Sequence, residues 1–283
     1  MPLPKRGLSD LINSYDALFC DVWGVLHNGR VGHKTAIAAL GDAKAMGKAV
    51  ILVTNAPRPS GEIAAEIAEL GVTTDIYDAI VTSGDATRDL IRPYEGQSLY
   101  RLGPDSDGAL FEGIAVQFGA LEDAQAIICT DLEYGRTPED YEEQVLDWKK
   151  RGLPFICANP DKVVEVGDEL IYCGGALADV YEQIGGEVRM AGKPYAPIYQ
   201  RASRLATEKL GNAPAPDRTL AIGDSVRTDA TGAADMGYDF LFISGSIHAQ
   251  EFGSVEDPDP EMITRLVGQS KANTVGFAPR LYW

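Results

Sequence analysis

The stretch Thr219-Leu220-Ala221-Ile222-Gly223-Asp224-Ser225-Val226-Arg227-Thr228-Asp229 decides the fold. A short apolar run, TLAI, enters a Gly-Asp pair, and a helical pattern leaves it. Two carboxylates close in sequence at a strand end suit a hard cation with oxygen ligands, such as Mg²⁺. Helix capping by one aspartate is the plain alternative, and it accounts for only one of the pair.

Working outward, the same grammar recurs. ALFC (Ala17–Cys20) ends at Asp21, AVILV (49–53) ends at Thr54-Asn55, and short apolar runs return at 79–81 and 240–243. Between them lie helical patterns over 35–46, over 60–70 with Gly71 as a natural C-cap, and from about Asp85. Apolar strands broken by amphipathic helices imply a parallel sheet covered on both faces. The expected class is therefore α/β, with a Rossmann-like, doubly wound core. Ligands in such sheets bind at the carboxyl ends of the strands. Asp21, Thr54-Asn55 and Gly223-Asp224 should gather on one edge, although the sequence separates them widely.

The middle of the chain has a pattern of its own. Strands are expected at 99–102, 126–129, 154–158 and 170–173, and helices at 138–150 and 176–184. This predicts an α/β cap domain, residues 93–186, inserted into a core formed by 1–92 and 187–283. Pro and Gly clusters at Arg92-Pro93-Tyr94-Glu95-Gly96 and Gly185-Gly186 mark the junctions. The acidic run 253–260 reads as a solvated loop.

Composition narrows the function. The chain has 283 residues with 25 Lys+Arg against 42 Asp+Glu, a net charge of −17. Such a surface repels nucleic acid and anionic lipid at long range. An anionic substrate therefore needs a local site of cation, lysine or arginine and backbone N–H groups. The four cysteines, Cys20, Cys129, Cys157 and Cys173, sit in or beside apolar stretches with no C-x-x-C pair, and read as buried small hydrophobes. The first residues lack the apolar core of a signal peptide, and no apolar run approaches the ~20 residues of a membrane span. The expectation is a reduced, cytoplasmic protein.

Two more motifs carry chemistry. Asp21-Val22-Trp23-Gly24-Val25-Leu26 puts a carboxylate in a tight loop at a strand end, where Gly24 lets the backbone approach a ligand closely. Alone it reads equally as a capping aspartate. Gly192-Lys193-Pro194 places a lysine where it can offset charge on a nucleophile and a phosphate together, although a surface lysine is the plain alternative. The Thr54 hydroxyl and Asn55 amide can bond a phosphoryl oxygen, although a turn-forming asparagine reads equally well; Arg58, just beyond, is a candidate substrate contact or, equally, an exposed arginine at a helix start.

Taken in this order, the four motifs resemble the haloacid dehalogenase superfamily of phosphohydrolases. The segment between Thr54 and Lys193 resembles the α/β cap of subclass IIA, which includes N-acetylglucosamine-phosphate, pyridoxal-phosphate and nitrophenyl-phosphate phosphatases. Gly192-Lys193-Pro194 and, inside the cap, Cys157-Ala158-Asn159-Pro160-Asp161 share that likeness. The resemblance implies a Mg²⁺-dependent phosphohydrolase acting on a small phosphorylated metabolite such as a sugar phosphate. Asp21 would attack phosphorus, and Thr54 and Lys193 would hold phosphoryl oxygens. Asp21, the backbone carbonyl of Trp23, and Asp224 would bind the metal, with Asp229 orienting its water. It also implies a cap that selects substrate, with 131–137 and 159–161 as candidate contacts, and a homodimer among its assemblies.

One departure matters. The family pattern is Asp-x-Asp, and its second carboxylate moves protons. Here position 23 is tryptophan, which cannot transfer a proton at neutral pH. General acid–base catalysis typically supplies ~10²–10⁴-fold in rate. His27 and Asp16 are the substitutes the sequence offers, and His248 is a candidate for the site's edge. A second reading follows from the lost acid: a catalytically weak relative that binds a phosphorylated ligand or a protein.

Overall fold

The computed structural model describes residues 2–166 and 169–283. The chain begins with β1 (Ala17–Cys20), α1 (Lys34–Ala45), β2 (Ala49–Thr54), α2 (Ser60–Glu69), β3 (Ala79–Thr82) and α3 (Ser83–Ile91). It continues through β4 (Ser98–Leu102), β5 (Gln117–Phe118), β6 (Ile127–Cys129), α4 (Glu142–Arg151), β7 (Phe155–Cys157), β8 (Val163–Val166), β9 (Glu169–Tyr172), α5 (Gly174–Gln183) and β10 (Val188–Met190). It ends with α6 (Ala196–Leu210), β11 (Thr219–Gly223), a π-helical turn (Val226–Ala230), α7 (Thr231–Met236), β12 (Asp239–Ile243), α8 (Pro260–Val267) and β13 (Asn273–Ala278).

The first sheet has the order β13-β12-β11-β1-β2-β3, and every pairing is parallel. Successive side chains of a strand point to opposite faces. Leu18 and Cys20 of β1 therefore join one core with Ala36, Ala39, Leu40 and Ala43 of α1, while Ala17 and Phe19 join the other with Ile198, Ala202 and Ala206 of α6. The buried positions of α1 follow an i, i+3, i+4, i+7 spacing, which is why that helix lies along the sheet. From β1 the chain winds outward through β2 and β3. From β11 it winds the other way through β12 and β13. The order reverses between β1 and β11, the kind of crevice where ligands bind in open α/β sheets.

A second parallel sheet, β10-β7-β6-β4-β5, is inserted between β3 and α6. Ile127 and Phe155 pack against Val145 and Trp148 of α4 and Leu177 and Tyr181 of α5, and Ile128 and Ile156 pack against Ile91 of α3. Trp148 is fully buried, 5.9 Å from the Phe155 ring and 6.3 Å from Tyr181.

Two expectations need correction, and one expected strand has a partner the sequence did not specify. The strand expected at 170–173 forms, but it pairs antiparallel with β8 in a separate two-stranded hairpin. The expected junction at residue 186 falls too early, because Val188–Met190 pair with β7 and extend the second sheet. The helix expected from 138 opens with a 3₁₀ turn, Pro138–Tyr141, under a Thr137–Asp140 capping box. All four cysteines are buried and free. Among the described residues no helix is long and apolar enough to cross a membrane.

Candidate active site

Asp21, Thr54 and Asp224 stand at the carboxyl ends of β1, β2 and β11, three adjacent strands. Two glycines let their loops close together. Gly24 has φ +82°, and a Cβ there would lie 2.0 Å from Asp224 Oδ2. A Cβ on Gly223 would lie 2.2 Å from Asp229 Cγ. Ser225 caps the π-helical turn by accepting from the Thr228 N–H, and its own N–H donates to Asp229 Oδ2 at 3.2 Å. This turn, rather than a regular α-helical start, brings Asp229 back beneath Gly223; such local irregularities concentrate at functional sites.

Lys193, 2 % exposed, joins the cluster from the segment after β10. Its Nζ donates to Asp21 Oδ1 at 2.6 Å and to Asp229 Oδ1 at 2.7 Å. Oxygens of Asp21, Asp224 and Asp229 all lie within 4.8 Å of one another, and all three residues are buried. Three carboxylates beside one ammonium leave an excess of two negative charges in a poorly solvated pocket. Burial accordingly pushes Asp21 well above the usual carboxylate range; Lys193 opposes the shift, and Asp229 and Asp224 add to it. Asp224 is pushed up to about 7 by burial and by Asp229. For Lys193, burial alone favours the neutral amine, but Asp21, Asp229 and Asp161 outweigh it and hold the ammonium well above its usual value. An oxygen-only donor set with surplus negative charge fits a hard divalent cation.

The cluster lines a small chamber together with Trp23, Thr54, Asp161, Ser225 and Val164. Two larger cavities flank it. One, of about 370 Å³, is lined by Trp23, Thr54, Arg58, Asp107, Asp131, Tyr134, Asn159, Asp161, Val164, Val166 and Tyr172 among others. The other, of about 440 Å³, includes Asp161, Val163, Ser225, Arg227, Thr228, Ile247 and His248. Hairpin strand β8 divides them: Val163 borders the second cavity, while Val164 and Val166 border the first.

The structure thus brings together Asp21, Trp23, Thr54, Lys193, Asp224 and Asp229. Asn55 differs from the expectation of a ligand contact. It is 2 % exposed and its amide is spent internally: Oδ1 accepts from Lys193 N at 2.7 Å, and Nδ2 donates to Lys193 O and to Asp161 Oδ1. Gly24 makes room for Asp224 rather than for a ligand. Arg58 lines the 370 Å³ cavity but is engaged by Glu66 and, at 3.8 Å, by Asp107.

Neither expected proton carrier is placed for the role. Asp16 precedes β1, at the opposite end of the strand from Asp21, and pairs with Arg218. His27 is buried, accepts from Gly29 N at Nδ1, and is held near pKa 4 by burial. It lines none of the three cavities and instead packs edge-on against Trp23, 4.9 Å between centroids. His248 borders the 440 Å³ cavity and contacts Glu251. The residue that sequence reasoning undervalued is Asp161, which borders all three cavities. Its only signal was the Asn159-Pro160-Asp161 run.

Arg227 ties the acidic loop to the inserted segment. Its Nη1 donates to Pro160 O at 2.8 Å and its Nη2 pairs with Asp179 of α5, which also pairs with Lys162.

Comparison with known proteins identifies the family. Residues 18–117 match the family model for haloacid dehalogenase-like hydrolases, and 190–267 match a second model of the same kind. A haloacid dehalogenase-like hydrolase from Brucella suis is 47% identical, with a TM-score of 0.84 over 86% of this chain and 94% of its own. The ribonucleotide monophosphatase NagD of Escherichia coli is 27% identical over 233 residues, 81% of this chain and 88% of its own. A glycerol phosphate phosphatase from Mycobacterium tuberculosis, solved with magnesium, shares the fold with a TM-score of 0.61 at 22% identity, over 84% of this chain and 69% of its own. On these matches, above all the relative 47% identical over 86% of this chain, the chain belongs to the haloacid dehalogenase-like hydrolases.

Proposed function

We propose that this hydrolase is a phosphatase that cleaves small phosphomonoesters, such as sugar phosphates, through an aspartyl-phosphate on Asp21. The observation that carries the reading is the buried contact of Lys193 with both Asp21 and Asp229, beside Asp224 at the reversal point of the sheet. The name of the Escherichia coli relative supports a phosphomonoester substrate.

Asp21 Oδ attacks phosphorus in line, and the bond to the ester oxygen breaks. The Thr54 hydroxyl and Lys193 hold the phosphoryl oxygens; two of the three ammonium N–H bonds go to Asp21 and Asp229, which leaves one for substrate. Water then cleaves the aspartyl-phosphate and regenerates Asp21. Asp21, Asp224, Asp229 and the backbone carbonyl of Trp23 would hold Mg²⁺, which when bound neutralises charge on the transferring group. A cation of that charge answers the excess of two negative charges in the pocket. The inserted sheet, roughly residues 93–190, acts as a cap whose loops at Asp131–Tyr134 and Asn159–Asp161 line the 370 Å³ cavity beside the chamber.

Phosphate release from a panel of phosphomonoesters tests this, with Mg²⁺ and with a chelator. Release should require the ion and fall at least ~10³-fold in Asp21→Asn, as expected when a nucleophile is removed. Turnover no higher than that of the variant would defeat the reading.

A further inference from the structure

An alkoxide leaving group needs a proton, and the nucleophile loop supplies none: position 23 is an indole. The leaving oxygen must sit where the phosphoryl chamber meets the cavity that takes the rest of the substrate. The chamber shares Trp23, Thr54, Asp161 and Val164 with the 370 Å³ cavity. With the 440 Å³ cavity it shares Asp161, Val163, Ser225, Thr228 and Ile247. Asp161 is the one titratable side chain at either boundary, among the described residues. Whichever cavity takes the leaving group, the same carboxyl stands at the mouth.

We propose that Asp161 is the catalytic acid and base of the reaction, in place of the group missing at position 23. This rests on the phosphatase reading above. In the first step the P–O bond to the leaving group breaks and the departing oxygen takes the Asp161 proton. In the second, the Asp161 carboxylate takes a proton from water as the water oxygen bonds to phosphorus and the P–O bond to Asp21 breaks. The sum is ester plus water giving alcohol plus phosphate, with Asp161 protonated again.

The loop that carries Asp161 is pinned from both sides. Asn55 Nδ2, after β2, donates to Asp161 Oδ1 at 3.0 Å, which leaves Oδ2 to carry the proton. Arg227, after β11, holds the neighbouring Pro160 carbonyl at 2.8 Å. Asp161 N donates to Asn159 Oδ1 at 3.2 Å. The charged groups that act on this carboxyl are Lys193 and Arg227, which favour the anion, and Asp229, which opposes it. Burial is the largest influence and raises the carboxyl above its ordinary range, the direction an acid at neutral pH needs. The remaining groups in the chamber are committed. Asp21 attacks, Asp224 and Asp229 form the cation site, and Lys193 is held as ammonium by its carboxylate partners.

The test compares first-turnover alcohol release from glycerol phosphate and from p-nitrophenyl phosphate, in wild type and in Asp161→Asn, which keeps an oxygen for Asn55 to bond. Nitrophenolate departs without a proton and glycerol does not. Glycerol release should fall ~10²–10⁴-fold while first-turnover nitrophenol release changes less than about tenfold. Intact mass should then show the phosphorylated protein accumulating, because water has lost its base. Asp161→Glu, which retains a carboxyl, should recover part of the glycerol phosphate rate. Equal losses on both esters, undiminished glycerol release, or no recovery with Asp161→Glu would overturn the assignment. Asp21→Asn separates the two claims: it should abolish both reactions and the covalent adduct. A wild type that cleaves neither ester defeats the phosphatase reading and this assignment with it.

Discussion

Asp224 shows what burying a carboxyl beside another acid does to its proton. Its pKa of about 7 lies above the ordinary 3.8, so the folded, ion-free protein binds this proton more tightly than the unfolded chain does. The associated stability is fully present below about pH 4 and is lost as pH rises toward 7. Thermal melts in chelator should therefore fall over that window in wild type relative to Asp224→Asn, and added Mg²⁺ should raise the wild-type melting temperature most at the upper end. A pH dependence identical in the two proteins would contradict the assignment. At this scale the sequence was informative about which groups carry charge and poor about which are already committed. Asn55 looked like a phosphate ligand because it follows a strand end. Its amide is instead consumed by Lys193 and Asp161, partners 138 and 106 positions away, and no local pattern reports that.

Elements were legible where apolar periodicity is strong and local. The runs that became β1, β2 and β11 are wholly buried, and their ends fell within a residue of expectation. Strand β13 escaped because it starts exposed and polar, with no alternation to mark it. The β9 residues read correctly as a strand, yet periodicity says nothing about partner or direction, and the pairing with β8 was missed. The π-helical turn was equally hidden, since its residues suit an α-helix just as well. It depends on Ser225, whose hydroxyl accepts from Thr228 N while its N–H supports Asp229. Ser225→Ala should cost ~1 kcal/mol of stability, the usual worth of such a cap. By loosening Asp229 it should also raise the Mg²⁺ concentration needed for half-maximal phosphate release. A melt paired with a Mg²⁺ titration checks both.

Across the whole molecule, the inserted sheet is gripped by the loop that holds the acids. Arg227 stands between Asp224 and Asp229 in sequence and reaches Pro160 and Asp179 in space. Arg227→Met should release this grip while keeping the Asp224 and Asp229 side chains themselves. Charge-assisted hydrogen bonds are worth about 1.5–3 kcal/mol, so KM for a phosphomonoester should rise roughly tenfold or more, with kcat reduced less. An unchanged KM would show that the grip does not help seat substrate. The two-sheet architecture was visible in the sequence as two sets of short strands, but the grip was not. Arg227 there was one residue of an acidic motif, with nothing to indicate that its side chain reaches the inserted segment instead.

The β8 ribbon has a further consequence. Its even-numbered valines line one cavity and Val163 lines the other, so alternate positions of one short segment shape two separate hollows on either side of the same acidic cluster. Accumulated change at Val166, which lines the first hollow alone, can refit it to a new guest while the second hollow and the acids between them stay as they were.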